Sequence, residues 1–142
     1  CGSSEGLNVT MHFTHLGEIF KDRLEEHVNI HIGKFVQIRH QDLGEFIVFA
    51  PKELCVFHAE IVDLFCSLQE PAWAFSLSPK NDDGTLYEEK GEVVGGGYYE
   101  LLNERRRLNL EGQSLAFGDY DNFGLGDRLR GLSRFSEFKI FG

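Results

Sequence analysis

Three residues whose side chains are suited to chemistry stand far apart in the chain: Lys34, His58 and Ser114. An imidazole can accept a proton or attack an electrophile, a hydroxyl can donate a hydrogen bond, and an ammonium can neutralise an anion. Each residue also has a simpler structural interpretation. His58 shares an apolar stripe with Ile61 and Phe65, which by itself favours a buried core histidine. Ser114 alone predicts a strand-end hydroxyl, and Lys34 alone a solvated lysine.

The three consecutive glycines at Gly95, Gly96 and Gly97 form a second feature with two interpretations. They do not open a dinucleotide-binding fingerprint, and the chain has no phosphate-binding loop of the GxxxxGK[ST] type. A run of glycines can mark a bulged or tightly bent strand. It can also allow the backbone to approach a ligand or a catalytic side chain closely. The run alone does not choose between these two interpretations.

The possible metal motifs fail on their ligand spacing. His27 and His31 have the spacing of a helical zinc pair, but no glutamate follows His27 and the segment has a strand pattern. A calcium-like loop begins at Asp119, yet Phe123 occupies a position that needs an oxygen ligand and Arg130 stands where the closing glutamate belongs. We therefore expect no metal and no cofactor.

Hydrophobic periodicity predicts the elements that must position these residues. Helical spacing covers residues 19–28, 54–68 and 125–132. Strand patterns cover residues 28–32, 35–38, 46–49, 73–77, 93–102, 108–110 and 138–141, and residues 78–90 have the composition of a loop. The pattern predicts an α+β fold, with a mixed sheet of about six strands and two main helices.

Bulk composition limits the classes of function. A chain of 142 residues is typical of one domain, and its net charge of −9 argues against binding to nucleic acid or to an anionic membrane surface. Three cysteines without a CxxC spacing fit a reducing compartment. With no signal peptide and no apolar run of membrane-spanning length recognised, we expect a cytoplasmic protein.

Four segments in register resemble one known family. They read GKFVQIR at 33–39, FHAEIVD at 57–63, GGG at 95–97 and LNLEGQSLAFG at 108–118. In order and spacing they are similar to segments of the small phosphohistidine phosphatases, the Janus/ocnus family, whose histidine lies in a Tyr-His-Ala-Asp-Ile pattern. The resemblance covers residues 27–142, which we expect to form the phosphatase-like domain. Residues 1–26 are expected to be an N-terminal extension, partly flexible or helical.

The resemblance implies a monomeric, metal-free enzyme with its sheet between two helices. It would hydrolyse the P–N bond of phosphohistidine in proteins, with phospholysine as an open second substrate. His58 would be the catalytic residue, as general base or nucleophile. Ser114 and the backbone amides of Ala59 and Ala116 would hold phosphoryl oxygens, and Lys34 would be the basic residue at the rim.

Two departures from the family pattern leave an alternative open. Phe57 replaces the tyrosine before the histidine, and Tyr98 replaces the arginine that often follows the glycines. One hydroxyl and one cation are therefore missing. A catalytically weak phosphate-recognition module or a protein-interaction module on the same fold remains the alternative function.

The start of the helix that carries His58 decides whether the inferred site can work. A continuous helix from Pro51 would engage the Ala59 amide in a helical hydrogen bond, so this amide could not bind phosphate. We expect instead that residues 52–57 are extended and that the helix begins close to His58. We also expect a carbonyl of the Gly95–Gly97 stretch to orient a neutral His58 ring.

Overall fold

The computed structural model describes residues 10–40, 44–68 and 91–142. Within these ranges the strands are β1 (Met11–His15), β2 (Ile32–His40), β3 (Gly44–Pro51), β4 (Gly91–Leu102), β5 (Arg107–Glu111) and β6 (Lys139–Phe141). The α-helices are α1 (Leu16–Ile19), α2 (His58–Ser67) and α3 (Leu125–Arg130). None of the helices in these ranges is long and apolar enough to cross a membrane.

The six strands form one mixed sheet in the order β1-β3-β2-β4-β5-β6. The outer pairs, β1 with β3 and β5 with β6, are parallel, and the inner pairs are antiparallel. Strands β2 and β4 lie side by side at the centre. Their register places Lys34 opposite Tyr98 and Val36 opposite Gly96. The predicted α+β fold with a mixed sheet is therefore confirmed.

Each face of the sheet is covered by a different helix. Alternate residues of a strand point to opposite faces, so Phe35 and Val36 belong to different cores. The core under α2 includes Val36, Ile38, Phe46, Val48, Ala50, Ile61 and Phe65. The core under α3 includes Phe35, Ile47, Phe49, Tyr99, Leu101, Leu108, Leu125 and Leu129. The sheet thus lies between two helices, as the sequence predicted.

Several local predictions were wrong or incomplete. The helix predicted over 19–28 is absent, because α1 ends at Ile19 and a short 3-10 turn follows at Lys21–Arg23. The strand predicted over 28–32 is wrong, because residues 28–31 are not in a strand and β2 begins at Ile32, whereas the strand predicted at 35–38 lies within β2. Strand β1 lies inside the expected N-terminal extension and pairs with β3. The strand predicted at 73–77 and the loop at 78–90 lie outside the described residues.

A bulge interrupts β4 beside the glycine run. Gln37 pairs with Gly95 and Ile38 pairs with Val93, so Val94 is the extra residue. A bulge bends a strand and strengthens its twist. The irregularity expected at the glycines is therefore found immediately before them in the same strand.

Candidate active site

Helix α2 begins at His58, with two backbone amides open to a ligand. Phe57 precedes the helix in an extended conformation, with φ −113° and ψ 152°. The Phe57 amide donates to the Glu60 carboxylate over 2.9 Å, and the Glu60 amide donates to the Phe57 carbonyl over 3.0 Å. Across the described part of the chain, the amides of His58 and Ala59 have no acceptor. A helix amino end with free amides attracts anions.

The expected late start of this helix is confirmed, with one correction. Residues 52–57 are not fully extended. Leu54 and Cys55 donate to the Pro51 carbonyl over 3.0 and 3.1 Å, which closes a turn after β3. This turn brings the chain back across the sheet before α2 starts. The apolar stripe that begins at Leu54 predicted a longer helix, because residues in a turn also bury apolar side chains and extend the pattern.

The His58 ring is buried and its tautomer follows from one contact. Its Nε2 atom lies 2.9 Å from the Gly97 carbonyl oxygen. A carbonyl can only accept, so Nε2 carries the proton and Nδ1 keeps a lone pair. Burial lowers the pKa of His58 below its usual 6.5, the Gly97 carbonyl partly offsets this, and Lys34 lowers it further. The ring is therefore neutral at pH 7 and can act as a base at Nδ1.

The glycine run permits this contact because the surrounding backbone is too close for a Cβ. A Cβ on Gly96 would lie 2.6 Å from the Phe35 carbonyl and 2.9 Å from Cδ2 of His58. The same Cβ would lie 3.4 Å from Cβ of Ser114. The His58 ring and the Ser114 side chain thus both pack against Gly96, in the space that a Cβ would otherwise occupy. The interpretation of the glycines as a close-approach site, open from sequence, is supported over a simple bend.

Ser114 closes a tight turn against the central sheet. Its amide donates to the Gly118 carbonyl over 3.1 Å, and the Gly118 amide donates back over 2.8 Å. Gly118 has φ +80°, a conformation that favours glycine. The Gly96 amide also donates to the Gly118 carbonyl, over 3.2 Å. These bonds hold the turn of residues 114–118 directly on β4, next to His58.

The Ala116 amide is near the site but is already engaged. Oγ of Ser114 accepts from the amides of Ala116 and Phe117 over 3.2 and 3.1 Å. The expected Ala116 donor is therefore paired inside the turn in this structure. The hydroxyl itself donates to no acceptor among the described residues, so its proton remains available to a phosphoryl oxygen. Ser114 is buried, whereas Ala116 is exposed.

Lys34 lies on β2 at the amino end of α2. Its ammonium donates to the Val56 carbonyl, just before the helix begins. The same ammonium lies 5.9 Å from the ring centroids of both Phe57 and Tyr98. Lys34 is close enough to lower the pKa of His58. Lys34, His58 and Ala59 therefore lie together at the amino end of α2, and Ser114 approaches the His58 ring across Gly96.

A buried polar network that the sequence did not predict supports the Ser114 turn from behind. Gln37 Nε2 donates to the buried Glu45 carboxylate over 2.6 Å and to the Asp121 carbonyl over 3.0 Å. The Asp121 amide donates to Gln37 Oε1 over 2.7 Å. Arg128 of α3 completes the network with Nε 2.6 Å from Glu45 Oε1. The network holds Asp121, in the segment that follows the turn, against β2. In the sequence, the polar residues Gln37 and Glu45 within or beside apolar strand segments were the one indication of such a network.

Across the described ranges, no three side chains of His, Cys, Asp or Glu converge into a possible metal site. Comparison with models of known protein families and with curated protein sequences finds no match to this chain. The functional argument therefore depends on the residues and geometry of the site itself.

Proposed function

We propose that this protein is a metal-independent phosphohistidine phosphatase that hydrolyses the P–N bond of phosphohistidine in proteins. The observation that carries the proposal is the His58 ring, tied through Nε2 to the Gly97 carbonyl over 2.9 Å, with its Nδ1 lone pair unpaired among the described residues. This ring lies at the amino end of α2, beside Ser114 and Lys34. The arrangement supports chemistry on a phosphoryl group.

The site supplies the donors that phosphoryl transfer requires. In the transition state, charge spreads over three equatorial oxygens, and positioned donors and cations stabilise it. The free amides of His58 and Ala59, the Ser114 hydroxyl and the Lys34 ammonium provide such groups. They are held by secondary structure, so little reorganisation is needed when the substrate binds.

His58 can act in two ways that lead to the same products. As a general base, Nδ1 takes a proton from water while the water oxygen bonds to phosphorus and the P–N bond breaks. The bonding pair leaves with the substrate imidazole, which takes up a proton, and inorganic phosphate remains. As a nucleophile, Nδ1 bonds to phosphorus while the substrate P–N bond breaks and its pair leaves with the substrate imidazole, which takes up a proton. Water then attacks the phosphoryl group on His58, which releases inorganic phosphate and restores the ring. We favour the general-base route, in which no covalent intermediate accumulates.

Phosphate release from a phosphohistidine peptide tests the proposal. We expect turnover by the wild type and a decrease in kcat of roughly 100-fold or more in His58→Ala, the scale of general-base catalysis. The control is His27→Ala, since His27 is exposed and outside the site. Acid-labile phosphate on His58 after rapid quenching would favour the nucleophile route. Absence of turnover by the wild type would refute the proposed enzyme.

Two observations favour a second candidate, a phosphate-recognition module. The Ala116 amide is engaged by Ser114, and the Glu60 carboxylate stands at the helix end that an anion would approach. Both features weaken the stabilisation of the charge that develops in phosphoryl transfer, which favours a site that binds phosphate without rapid turnover. Binding of the phosphohistidine peptide by calorimetry, with no phosphate release over hours, would support this module over the enzyme.

A further inference from the structure

Two exposed aromatic rings flank the cation of the candidate site. Phe57 is 66% exposed and Tyr98 is 44% exposed. The Lys34 ammonium lies 5.9 Å from the centroid of each ring. These are also the two positions at which the chain departs from the family pattern. Phe57 therefore keeps an aromatic ring beside the phosphoryl-binding groups, where the family has tyrosine. Tyr98 adds a ring there, where the family often has arginine.

The Tyr98 ring is held in a defined orientation before any ligand binds. Its centroid lies 5.8 Å from that of the His58 ring, at an interplanar angle of 76°. On another side it packs against the backbone of Gly112, where a Cβ would lie 2.6 Å from Cδ2 of Tyr98. Gly112 has φ +78°, so glycine is favoured there. The ring is thus preorganised while much of its surface faces solvent.

A surface groove begins at Lys34 and Tyr98. Its lining also includes Ile32, Lys52, Glu100 and Glu111. A side chain that enters the site from a peptide in this groove would pass the Tyr98 ring before its terminal group reaches His58. Tyr98 therefore lines the groove and also contacts the His58 ring.

The chemistry of the leaving group matches these rings. In phosphohistidine the departing group is a flat aromatic ring, joined to phosphorus by one bond. Offset or edge-to-face contacts with another aromatic ring stabilise such a group. In phospholysine the departing amine ends a flexible chain, which loses more rotamer freedom on binding and presents no ring face.

We propose that Phe57 and Tyr98 form the leaving-group subsite and select the imidazole of phosphohistidine over the alkylamine of phospholysine. The inference depends on the proposed function, because it assigns a substrate class to the same site. Lys34 supplies the charge for the phosphoryl group, and the two rings supply planar surface for the group that departs. Selectivity for one phosphoramidate is then a property of the two residues that depart from the family pattern.

Two peptides of identical flanking sequence, one with phosphohistidine and one with phospholysine, test the subsite. The measured quantity is the ratio of their kcat/KM values. We expect Phe57→Leu and Tyr98→Leu each to lower this ratio by roughly three- to tenfold, the scale of an aromatic contact. The ring-keeping variants Phe57→Tyr and Tyr98→Phe should retain the ratio. Phe141→Leu, an exposed ring on β6, is the remote control.

The ratio separates selectivity from loss of Lys34 positioning, since a displaced cation would slow both peptides alike. An unchanged ratio in both leucine variants overturns the subsite, whatever their absolute rates. If the wild type hydrolyses neither peptide, the proposed enzyme fails, and the affinity ratio of the two peptides by calorimetry then decides the subsite. In that case the subsite is overturned if this affinity ratio is the same in the wild type and in both leucine variants.

Discussion

His58 and Gly97 are joined by a hydrogen bond from ring Nε2 to the backbone carbonyl, with 2.9 Å between the two atoms. This bond assigns the proton to Nε2 and leaves Nδ1 as the basic atom. It depends on backbone that approaches the ring from β4, where Gly95, Gly96 and Gly97 lie against neighbouring segments. The orientation of the candidate catalytic residue therefore depends on glycine at these positions, because a residue without a Cβ lets the β4 backbone approach the ring.

Gly96→Ala should displace the His58 ring. The new methyl group would lie 2.9 Å from Cδ2 of His58 and 2.6 Å from the Phe35 carbonyl, so ring or strand must shift. We expect kcat toward the phosphohistidine peptide to fall by about 100-fold, as a misplacement near 1 Å can cause. The control is Gly126→Ala in α3, whose Cβ would be no closer than 3.7 Å to Ile140. Wild-type kcat in Gly96→Ala would contradict this account.

Lys34→Met should raise the pKa of His58. In the wild type, burial and the Lys34 ammonium both lower this pKa from 6.5. Activity needs the neutral ring, so it is lost as pH falls through the lowered pKa, and the acid limb of kcat/KM should move to higher pH in the variant. The plateau should also fall because the phosphoryl group loses its cation. NMR titration of His58 measures the shift, with Lys139→Met as control. A fall in the His58 pKa would refute the electrostatic role of Lys34.

Arg128→Met should destabilise the fold much more than Arg130→Met on the same helix. Arg128 Nε donates to the buried Glu45 carboxylate over 2.6 Å, whereas Arg130 pairs with Asp127, which is 80% exposed. Removal of Arg128 leaves a buried charge poorly compensated, at a cost of roughly 2–4 kcal/mol. Loss of the exposed pair should cost under about 1 kcal/mol. Urea unfolding measures both, and similar losses would contradict the structural role of the network.

His15→Phe should remove part of the acid sensitivity of folding. Burial lowers the pKa of His15 from 6.5 to about 4, and Glu18 and the Ile30 carbonyl offset this only partly. Neither ring nitrogen has a hydrogen-bond partner of ordinary geometry within the described ranges. As the pH falls, the unfolded chain therefore takes up a proton at His15 before the folded protein does. The stability that neutral His15 contributes is fully present above pH 6.5 and is lost as the pH falls toward about 4.

The measurement for His15 is the free energy of unfolding of wild type minus variant as a function of pH. We expect this difference to be constant above pH 6.5 and to fall by up to about 3 kcal/mol toward pH 4, with the slope of one proton. A phenylalanine keeps the ring contacts with Phe13, Phe49 and Tyr99. A difference that does not vary with pH would show that His15 does not titrate on unfolding.

Periodicity predicted most elements of the sheet, because burial on a strand or helix repeats with a local period. The apolar run at Phe46–Phe49 lies in β3, and Leu108 and Leu110 lie in β5. The same reasoning failed for residues 19–28, where exposed Ile19 ends a short helix. A stripe of apolar residues indicates burial, but it does not state whether helix or turn provides it.

From the sequence, Lys34, His58, Ser114 and the three glycines were expected to form the candidate site because their order resembles one family, whereas each of them alone favoured a structural role. Only the tertiary structure decided how they interact. His58 and Gly97 are 39 residues apart, and the ring nitrogen that carries the proton depends on the register of β2 with β4. The pairing of the Ala116 amide with Ser114, and the position of Lys34 between Phe57 and Tyr98, likewise depend on how separate elements pack. Local pattern reports the environment of each residue, whereas distances between remote residues are set by the order of strands in the sheet.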